Sequence, residues 1–313
     1  MINLSYNLSP NLKGLIQETE NLRSKILLTP LSPGTELRLR WNAMVRRIHW
    51  SLLLHENILT KAEIIKLISN ASQRKRRFAD EEKEVIDYKK GMDYISQQWL
   101  VSPKNITSKT IITLNEIACH GRFKAAESSL KQILDYLQTS SEHPVIQAAI
   151  VQIVLLDLNG FSHGNRRTSR LASYLFLYKF GYDFRGFLCI DEYFKRDLTS
   201  YQEKIQAISG SGNLTLWIEY FAKGVVNQLE KALNDLLTEK YSNDLQKNFF
   251  ELNDRQKEIM SLLDQPNAVI SNKKVQKMFK VSQITASRDL SRLSTLGLLF
   301  THGKGRSVYY TKI

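Results

Sequence analysis

Cysteine is scarce in this sequence, and long apolar runs are missing from it. Two cysteines, Cys119 and Cys189, are too few for a disulfide framework or a cysteine-based metal cluster. The apolar stretch at residues 148–156 is shorter than a membrane span and is interrupted by Gln152. The first residues, Met-Ile-Asn-Leu-Ser, lack the basic region and apolar run of a signal peptide. These absences predict a cytoplasmic protein with no membrane partner.

What the sequence has in excess is positive charge and helical periodicity. The formal net charge of +13 favours a polyanionic partner without identifying one. A length of 313 residues is enough for a sizeable core and for two or three domains. Apolar residues recur at helical spacing along most of the chain. The predicted fold class is therefore mainly α, with a small α+β domain at the C-terminus.

Breaks in the helical pattern suggest the domain boundaries. Pro30, Pro33 and Gly34 end a first amphipathic helix, and a charged stretch at residues 239–247 ends the central helical region. We therefore expect an N-terminal helical segment, a central helical domain and a C-terminal domain at residues 1–34, 35–240 and 250–313. The basic run at residues 74–77 is interpreted either as a solvated loop or as a DNA contact.

An arginine-rich turn with two glycines, Asp-Leu-Asn-Gly-Phe-Ser-His-Gly-Asn-Arg-Arg-Thr-Ser-Arg at residues 157–170, carries the most information. A glycine-containing turn that opens a helix presents free backbone N–H groups and the positive end of the helix dipole. Arg166, Arg167 and Arg170 add three guanidinium groups, which suit phosphate oxygens. The stretch therefore predicts either a phosphate-binding loop or a solvated basic helix start.

The same turn resembles the signature loop of the Fic (Fido) family, His-Pro-Phe-x-Asp/Glu-Gly-Asn-Gly-Arg-x-x-Arg. Members of this family transfer AMP from ATP to protein hydroxyls. The matching residues are Phe161, Gly164, Asn165, Arg167 and Arg170. The resemblance implies a Fic-type helical bundle. It also implies that the last four of these residues bind a nucleotide or a phosphate.

Four positions depart from the family pattern. Asn159 stands where the family has its general-base histidine, and Gly160 stands where it has proline. His163 replaces the acidic residue that holds the metal ion, and Arg166 replaces the second glycine. An asparagine amide has no useful basicity near neutral pH, and magnesium prefers oxygen ligands. We therefore assign no catalytic residue and no metal ligand with this resemblance.

Segments on both sides of the loop are also similar to the family. These segments are residues 84–95, 181–194 and 213–221. Without the family, Gly181 is expected to cap one helix and Asp191 to cap the next. The aromatic residues of the third segment are expected to face a core.

A further family feature is an inhibitory motif, Ser/Thr-x-x-x-Glu-Gly/Asn, whose glutamate pairs with the last arginine of the signature. Residues 49–60 align with it through Ser51 and place His55 at the glutamate position. Glu56 comes one residue late, and a shift of one residue turns a helical side chain by about 100°. The resemblance implies a regulatory segment at Ser51, His55 and Glu56, with Glu56 exposed rather than paired.

Active relatives in the family also have a hairpin flap that docks the target segment as an extra strand. That flap would lie between Arg122 and the helix near Ser129. Residues 122–129 are too few for two strands and a turn. Base, metal ligand and flap are thus all expected to be missing from the same site.

The last 62 residues have the pattern of three short helices and a hairpin. Ser271 and Ser282 open the second and third helices, and Gly297 ends the third. Residues 298–310 read as two strands around a basic glycine-containing tip. This order resembles a winged helix-turn-helix, and similar segments follow Fic domains in many proteins.

Charge in this segment favours nucleic acid as the partner. Residues 252–313 contain eleven lysines and arginines and four acidic residues, a net charge of +7. The candidates for contacts with base edges are the polar residues of the third helix, Gln283, Thr285, Ser287 and Arg288. The candidates for phosphate contacts are Arg292, Lys304 and Arg306. A winged helix that binds protein instead of DNA remains the alternative.

Three functional hypotheses remain at this stage. The first is a catalytically impaired Fic-fold protein that regulates transcription by binding double-stranded DNA and senses a nucleotide or another phosphorylated ligand. The second is a protein adenylyltransferase that uses ATP with Mg²⁺. The third is an antitoxin-like or dimerisation module without a ligand. A single winged helix has a small footprint, so a homodimer that reads two half-sites is expected.

Overall fold

The protein is seen in a computed structural model that describes residues 5–31, 33–70, 78–139, 141–238, 252–263, 268–303 and 307–312. Within these ranges it is mainly helical, with a small three-stranded sheet near the C-terminus, as the sequence predicts. None of the helices in the described ranges is both long and apolar enough to cross a bilayer. The basic run at residues 74–77 and the predicted boundary near residue 240 lie outside the described residues.

The described residues group into two units. The first draws on Met1–Pro30, Ala43–Leu67 and Arg77–Lys240, and the second on Leu31–Asn42, Ile68–Arg76 and Tyr241–Ile313. The helices before residue 239 are α1 Pro10–Leu28, α2 Pro33–Leu53, α3 Lys61–Asn70, α4 Asp80–Gln98, α5 Ser108–Cys119, α6 Glu127–Thr139, α7 Pro144–Leu158, α8 Asn165–Lys179, α9 Ile190–Arg196, α10 Leu198–Ser211 and α11 Thr215–Thr238.

Local capping explains where several of these helices begin. Before α3, the N–H of Thr60 donates to Glu63 Oε2 at 2.8 Å and the N–H of Glu63 donates to Thr60 Oγ1 at 3.3 Å, which is a capping box. The predicted cap at Asp191 is wrong. The cap position of α9 is Cys189, two residues earlier, and the Asp191 side chain points into the core instead.

Helices α7 and α8 form the centre of the first unit. Residues 145–155 of α7 are buried around the whole helix circumference, which fits a segment with few polar side chains. Helix α8 packs against it, and α11 packs against both α1 and α7. The indole Nε1 of Trp217 on α11 donates to the Ala149 carbonyl at 2.8 Å. The turn between α7 and α8 is therefore held by two buried helices.

The C-terminal residues form a small α+β arrangement with its own core. Its elements are α12 Asp254–Leu262, β1 Ile270–Ser271, α13 Asn272–Phe279, α14 Gln283–Thr295, β2 Leu299–His302 and β3 Tyr309–Lys312. The sheet is antiparallel with the order β1-β3-β2, pairing Ile270 with Tyr310 and Leu299 with Lys312. The buried core is made of Ile259, Leu263, Ile270, Val275, Ala286, Leu290, Leu293 and Leu299.

Candidate functional site

The turn between α7 and α8 is short and fixed by backbone geometry at both ends. Asn159 ends α7 in the left-handed conformation, with φ of 43°. Gly164 precedes α8 with φ of 78°, and a Cβ at this position would lie 2.4 Å from the Cβ of Cys119. Glycine is required there both by the positive φ and by the close approach of α5. The arginine-rich turn is therefore a defined loop that ends at a helix N-terminus.

The side chain of Asn165 closes this loop. Its amide Nδ2 donates to the Phe161 carbonyl at 2.8 Å, and its Oδ1 accepts from the Phe161 N–H at 2.9 Å. Both the oxygen and the nitrogen of the Asn165 amide are thus hydrogen-bonded to the backbone of Phe161. The first backbone N–H groups of α8 have no partner within the helix, because there is no preceding turn. These N–H groups and the exposed side chain of Arg166 are what the loop presents to an anion.

The segment after Arg122 runs alongside the loop. The N–H of Lys124 donates to the Gly160 carbonyl at 2.7 Å, and the N–H of Ser162 donates to the Arg122 carbonyl at 2.9 Å. Phe123 and Phe161 form an isolated antiparallel bridge, with their rings in edge contact at 5.1 Å. Helix α6 begins at Glu127. Within residues 122–129, all of which are described, the backbone forms this bridge and no hairpin.

Arg167 points away from the loop towards α4 and α5. Its Nη2 lies 2.6 Å from Glu84 Oε1, and its Nη1 donates to the Ala118 carbonyl at 3.3 Å. Glu84 also accepts from Asn57 Nδ2 at 2.9 Å. The guanidinium is buried, and its Nε has no hydrogen-bond partner. A phosphate at the loop would have to draw this arginine away from a carboxylate.

Arg170 is held still more tightly. Its Nε donates to Asp191 Oδ1 at 2.7 Å, and its Nη2 donates at 3.0 Å to both the carbonyl and the Oγ of Ser51. Its Nη1 donates to the Arg166 carbonyl at 3.0 Å. Asp191 is completely buried and also accepts from the Tyr174 hydroxyl at 3.0 Å. Arg170, Asp191 and Ser51 therefore form a buried polar cluster that joins α8, α9 and α2.

The predicted regulatory segment lies beside these arginines. Ser51 binds Arg170 directly, whereas Glu56 is exposed at φ of 64°. The side chain of His55 is close to the cluster. Burial, and then the nearby positive charges of Arg170, Arg167 and Arg166, lower the pKa of His55 to about 3. His55 is therefore a neutral imidazole, and its buried Nε2 has no hydrogen-bond partner.

This lowered pKa predicts a pH-dependent stability. The unfolded chain binds a proton at His55 below about pH 6.5, whereas the folded chain does so only near pH 3, so acid favours unfolding in that interval. The free energy of unfolding should fall by up to about 1.4 kcal/mol per pH unit below 6.5. Urea titrations of His55→Gln should show a shallower fall, although His49, whose pKa burial also lowers, adds to the same window. An unchanged profile in His55→Gln would contradict this account.

The four positions that depart from the signature are all at the loop. Asn159, His163 and Arg166 are exposed, and Gly160 is buried against the ring of Phe123. His163 Nδ1 lies 3.0 Å from Ser162 Oγ. No group of three or more His, Cys, Asp or Glu side chains in the described part of the chain could hold a metal ion. With an imidazole in place of a carboxylate, these residues do not fit a magnesium ion.

A second candidate site is the outer face of α14 in the C-terminal unit. Gln283, Ser287 and Arg288, which the sequence analysis named as candidates for base contacts, are exposed there. Thr285 is half-buried, and its N–H donates to Ser282 Oγ at 3.2 Å, which caps α14. Arg292 is half-buried. Lys304 and Arg306, the other two residues predicted to contact phosphates, lie outside the described residues.

The sequence reasoning missed the basic surface of α13. Four exposed lysines lie on this helix and at its end, namely Lys273, Lys274, Lys277 and Lys280. The spacing of these lysines around the buried Val275 was a usable signal, because it makes α13 strongly amphipathic. Asp289 was missed as well. It is buried in α14, where it accepts from Gln256 Nε2 at 2.9 Å and pairs with Arg255, which ties α12 to α14.

No protein-family model matches the sequence, and no curated protein matches it significantly. Among solved structures, a Fic family protein from Desulfovibrio desulfuricans G20 is similar with a TM-score of 0.62 at 15% identity, covering 98% of this chain and 97% of that chain. A Fic domain containing signaling protein from Bacteroides thetaiotaomicron VPI-5482 has a TM-score of 0.57 at 18% identity, covering 74% of this chain and 99% of that chain.

A third similar structure is Fic-1 (aa134–508) from C. elegans, with a TM-score of 0.60 at 17% identity and 73% of each chain covered. These similarities show that the chain has a Fic fold, which confirms what the arginine-rich turn predicted. At such low identities they show the fold alone.

Proposed function

We propose that this chain is a Fic-fold protein with a degenerate signature loop that does not transfer AMP and that acts by binding duplex DNA. The observation that carries the proposal is the order of the elements in the C-terminal unit, which runs from α12 to β3. Its elements follow the order helix, strand, helix, helix, strand, strand, which is that of a winged helix-turn-helix. The similarity to the Fic family protein from Desulfovibrio desulfuricans G20 covers 98% of this chain and so extends beyond the helical unit.

The charge distribution on α13 and α14 supports DNA as the partner. In a helix-turn-helix, the second helix enters the major groove and the first crosses the phosphate backbone. Helix α14 would be the recognition helix, and α13 would bring its four exposed lysines to phosphates. Gln283 and Arg288 would reach base edges from the exposed side of α14. The lysines of α13 therefore favour DNA over a protein as the partner.

DNA binding can be tested on the full chain with a labelled duplex of random sequence. Fluorescence anisotropy at low salt should show binding, and single-stranded DNA of the same sequence should bind more weakly. Selection from a randomised duplex pool should then yield a preferred site, for which Arg288→Ala relaxes the preference by about 1–3 kcal/mol at one position. A chain that binds no duplex at low salt would end the proposal.

The proposed lack of AMP transfer follows from the residues of the signature loop. General-base catalysis is worth roughly 10²–10⁴-fold, and Asn159 cannot provide it. Incubation with α-labelled ATP, magnesium and a cell lysate should leave both the chain and the lysate proteins unlabelled. Asn159→His alone should recover little labelling, because His163 and Arg166 still disturb the site. Labelling by the wild type that disappears in Asn165→Ala would instead establish the adenylyltransferase hypothesis.

A nucleotide or other phosphorylated ligand at the loop remains a prediction. The free N–H groups of the first turn of α8 and the exposed Arg166 favour it, whereas the carboxylate partners of Arg167 and Arg170 oppose it. The expected homodimer is likewise a proposal. It rests on the small footprint of one winged helix.

A further inference from the structure

One large apolar side chain is exposed on the proposed recognition helix. Ile284, the second residue of α14, is 65% exposed, whereas the other apolar residues of this helix, Ala286, Leu290 and Leu293, are fully buried. Its exposed neighbours Gln283, Ser287 and Arg288 are polar or charged. Ile284 is therefore an exposed aliphatic group among polar exposed residues of α14.

Helix geometry puts Ile284 opposite the core. Two residues along an α-helix correspond to a rotation of about 200°, so Ile284 faces almost directly away from the buried Ala286. The same argument places Arg288, four residues further, next to Ile284 on one face. This face lies at the N-terminal end of α14, which is the end that contacts base edges when a recognition helix enters the major groove.

The chemistry of the major groove offers one apolar partner for such a side chain. Among the four bases, thymine alone presents a C5-methyl group there, and the remaining features of the groove edges are hydrogen-bond donors and acceptors. An aliphatic side chain cannot satisfy those polar groups, so it favours a thymine at the position it covers.

Resting on the proposed DNA binding, we infer that Ile284 determines specificity by contacting the C5-methyl group of a thymine in the bound site. Arg288 and Gln283 supply hydrogen bonds to the neighbouring base edges. The preferred duplex therefore contains at least one thymine whose methyl group contributes to affinity.

The test uses the full chain and the duplex selected from a randomised pool. Each thymine of that duplex is replaced in turn by deoxyuridine, which removes the methyl group and keeps every base-pairing group. At one thymine or more, the wild-type chain should bind about fourfold more weakly after the replacement, as expected for one buried methyl-sized group. Ile284→Ala should bind the thymine and the deoxyuridine duplexes equally well.

A matched control is Val269→Ala, which shortens another exposed aliphatic side chain of the same unit outside α14. It should keep the fourfold difference between the two duplexes. A wild-type chain that binds strongly but ignores every deoxyuridine replacement overturns the inference and leaves DNA binding intact. An Ile284→Ala variant that keeps the wild-type difference overturns it as well. If no duplex is selected, the proposed function itself fails.

Discussion

Replacing Arg170 with methionine should lower the free energy of unfolding by about 3–5 kcal/mol, because it leaves Asp191 as an uncompensated buried charge. The Arg170 guanidinium donates to Asp191, to Ser51 and to the Arg166 carbonyl, and both charged side chains are almost completely inaccessible to solvent. Thermal or urea unfolding of the full chain measures the effect. The loss is expected without any nucleotide, since these contacts are intramolecular.

Arg166→Met is the matched control, because it makes the same substitution on the same helix at an exposed side chain. It should change stability by no more than about 0.5 kcal/mol. The double variant Arg170→Met with Asp191→Leu should lose less free energy of unfolding than the two single variants together. It leaves no unpaired buried charge, whereas each single variant leaves one. If Arg170→Met is as stable as Arg166→Met, the buried cluster does not stabilise the fold.

The affinity for random duplex DNA should fall steeply with salt, and most of this dependence should come from α13. Each phosphate contact contributes a slope of about −0.9 to the logarithmic plot of affinity against salt. Contacts from the four exposed lysines alone would give a slope of about −3.6, or roughly 150-fold between about 50 and 200 mM salt. Replacing all four lysines with glutamine should reduce the slope by about 3.6.

Lys257→Gln provides a control for this salt series. Lys257 lies on α12, outside the helix-turn-helix, and is paired with Asp254. Lys257→Gln should lower the slope by much less than the same replacement of any one lysine of α13. Equal effects of Lys257→Gln and Lys277→Gln would point to non-specific attraction by the net charge instead of a docked α13. A quadruple variant with the wild-type slope would exclude α13 from the interface.

Features that depend on neighbouring residues could be predicted from the sequence. The caps at Ser271 and Ser282 are found where the pattern placed them. The two-residue strand β1 could not be predicted in this way. It is too short to show an alternating pattern, and it pairs with β3, which lies about forty residues further along the chain.

The partners of the signature arginines show where such prediction fails. Asp191 was expected from its residue type to cap a helix, but it pairs with Arg170, 21 residues away. Ser51 reaches Arg170 across 119 residues, and Glu84 reaches Arg167 across 83. Only the packing of α2, α4, α8 and α9 brings these groups together. A motif can therefore be recognised along the chain while the use of its side chains is decided by distant helices.

The placement of Arg170 has a consequence for protein engineering. A designer who wished to give this chain the family's signature loop would begin by introducing its histidine, proline and acidic residue. The arginine that the family keeps at the end of its signature would still be occupied by Ser51 and Asp191. Releasing it means rebuilding the centre of the helical unit, so the design problem lies in the scaffold as much as in the loop.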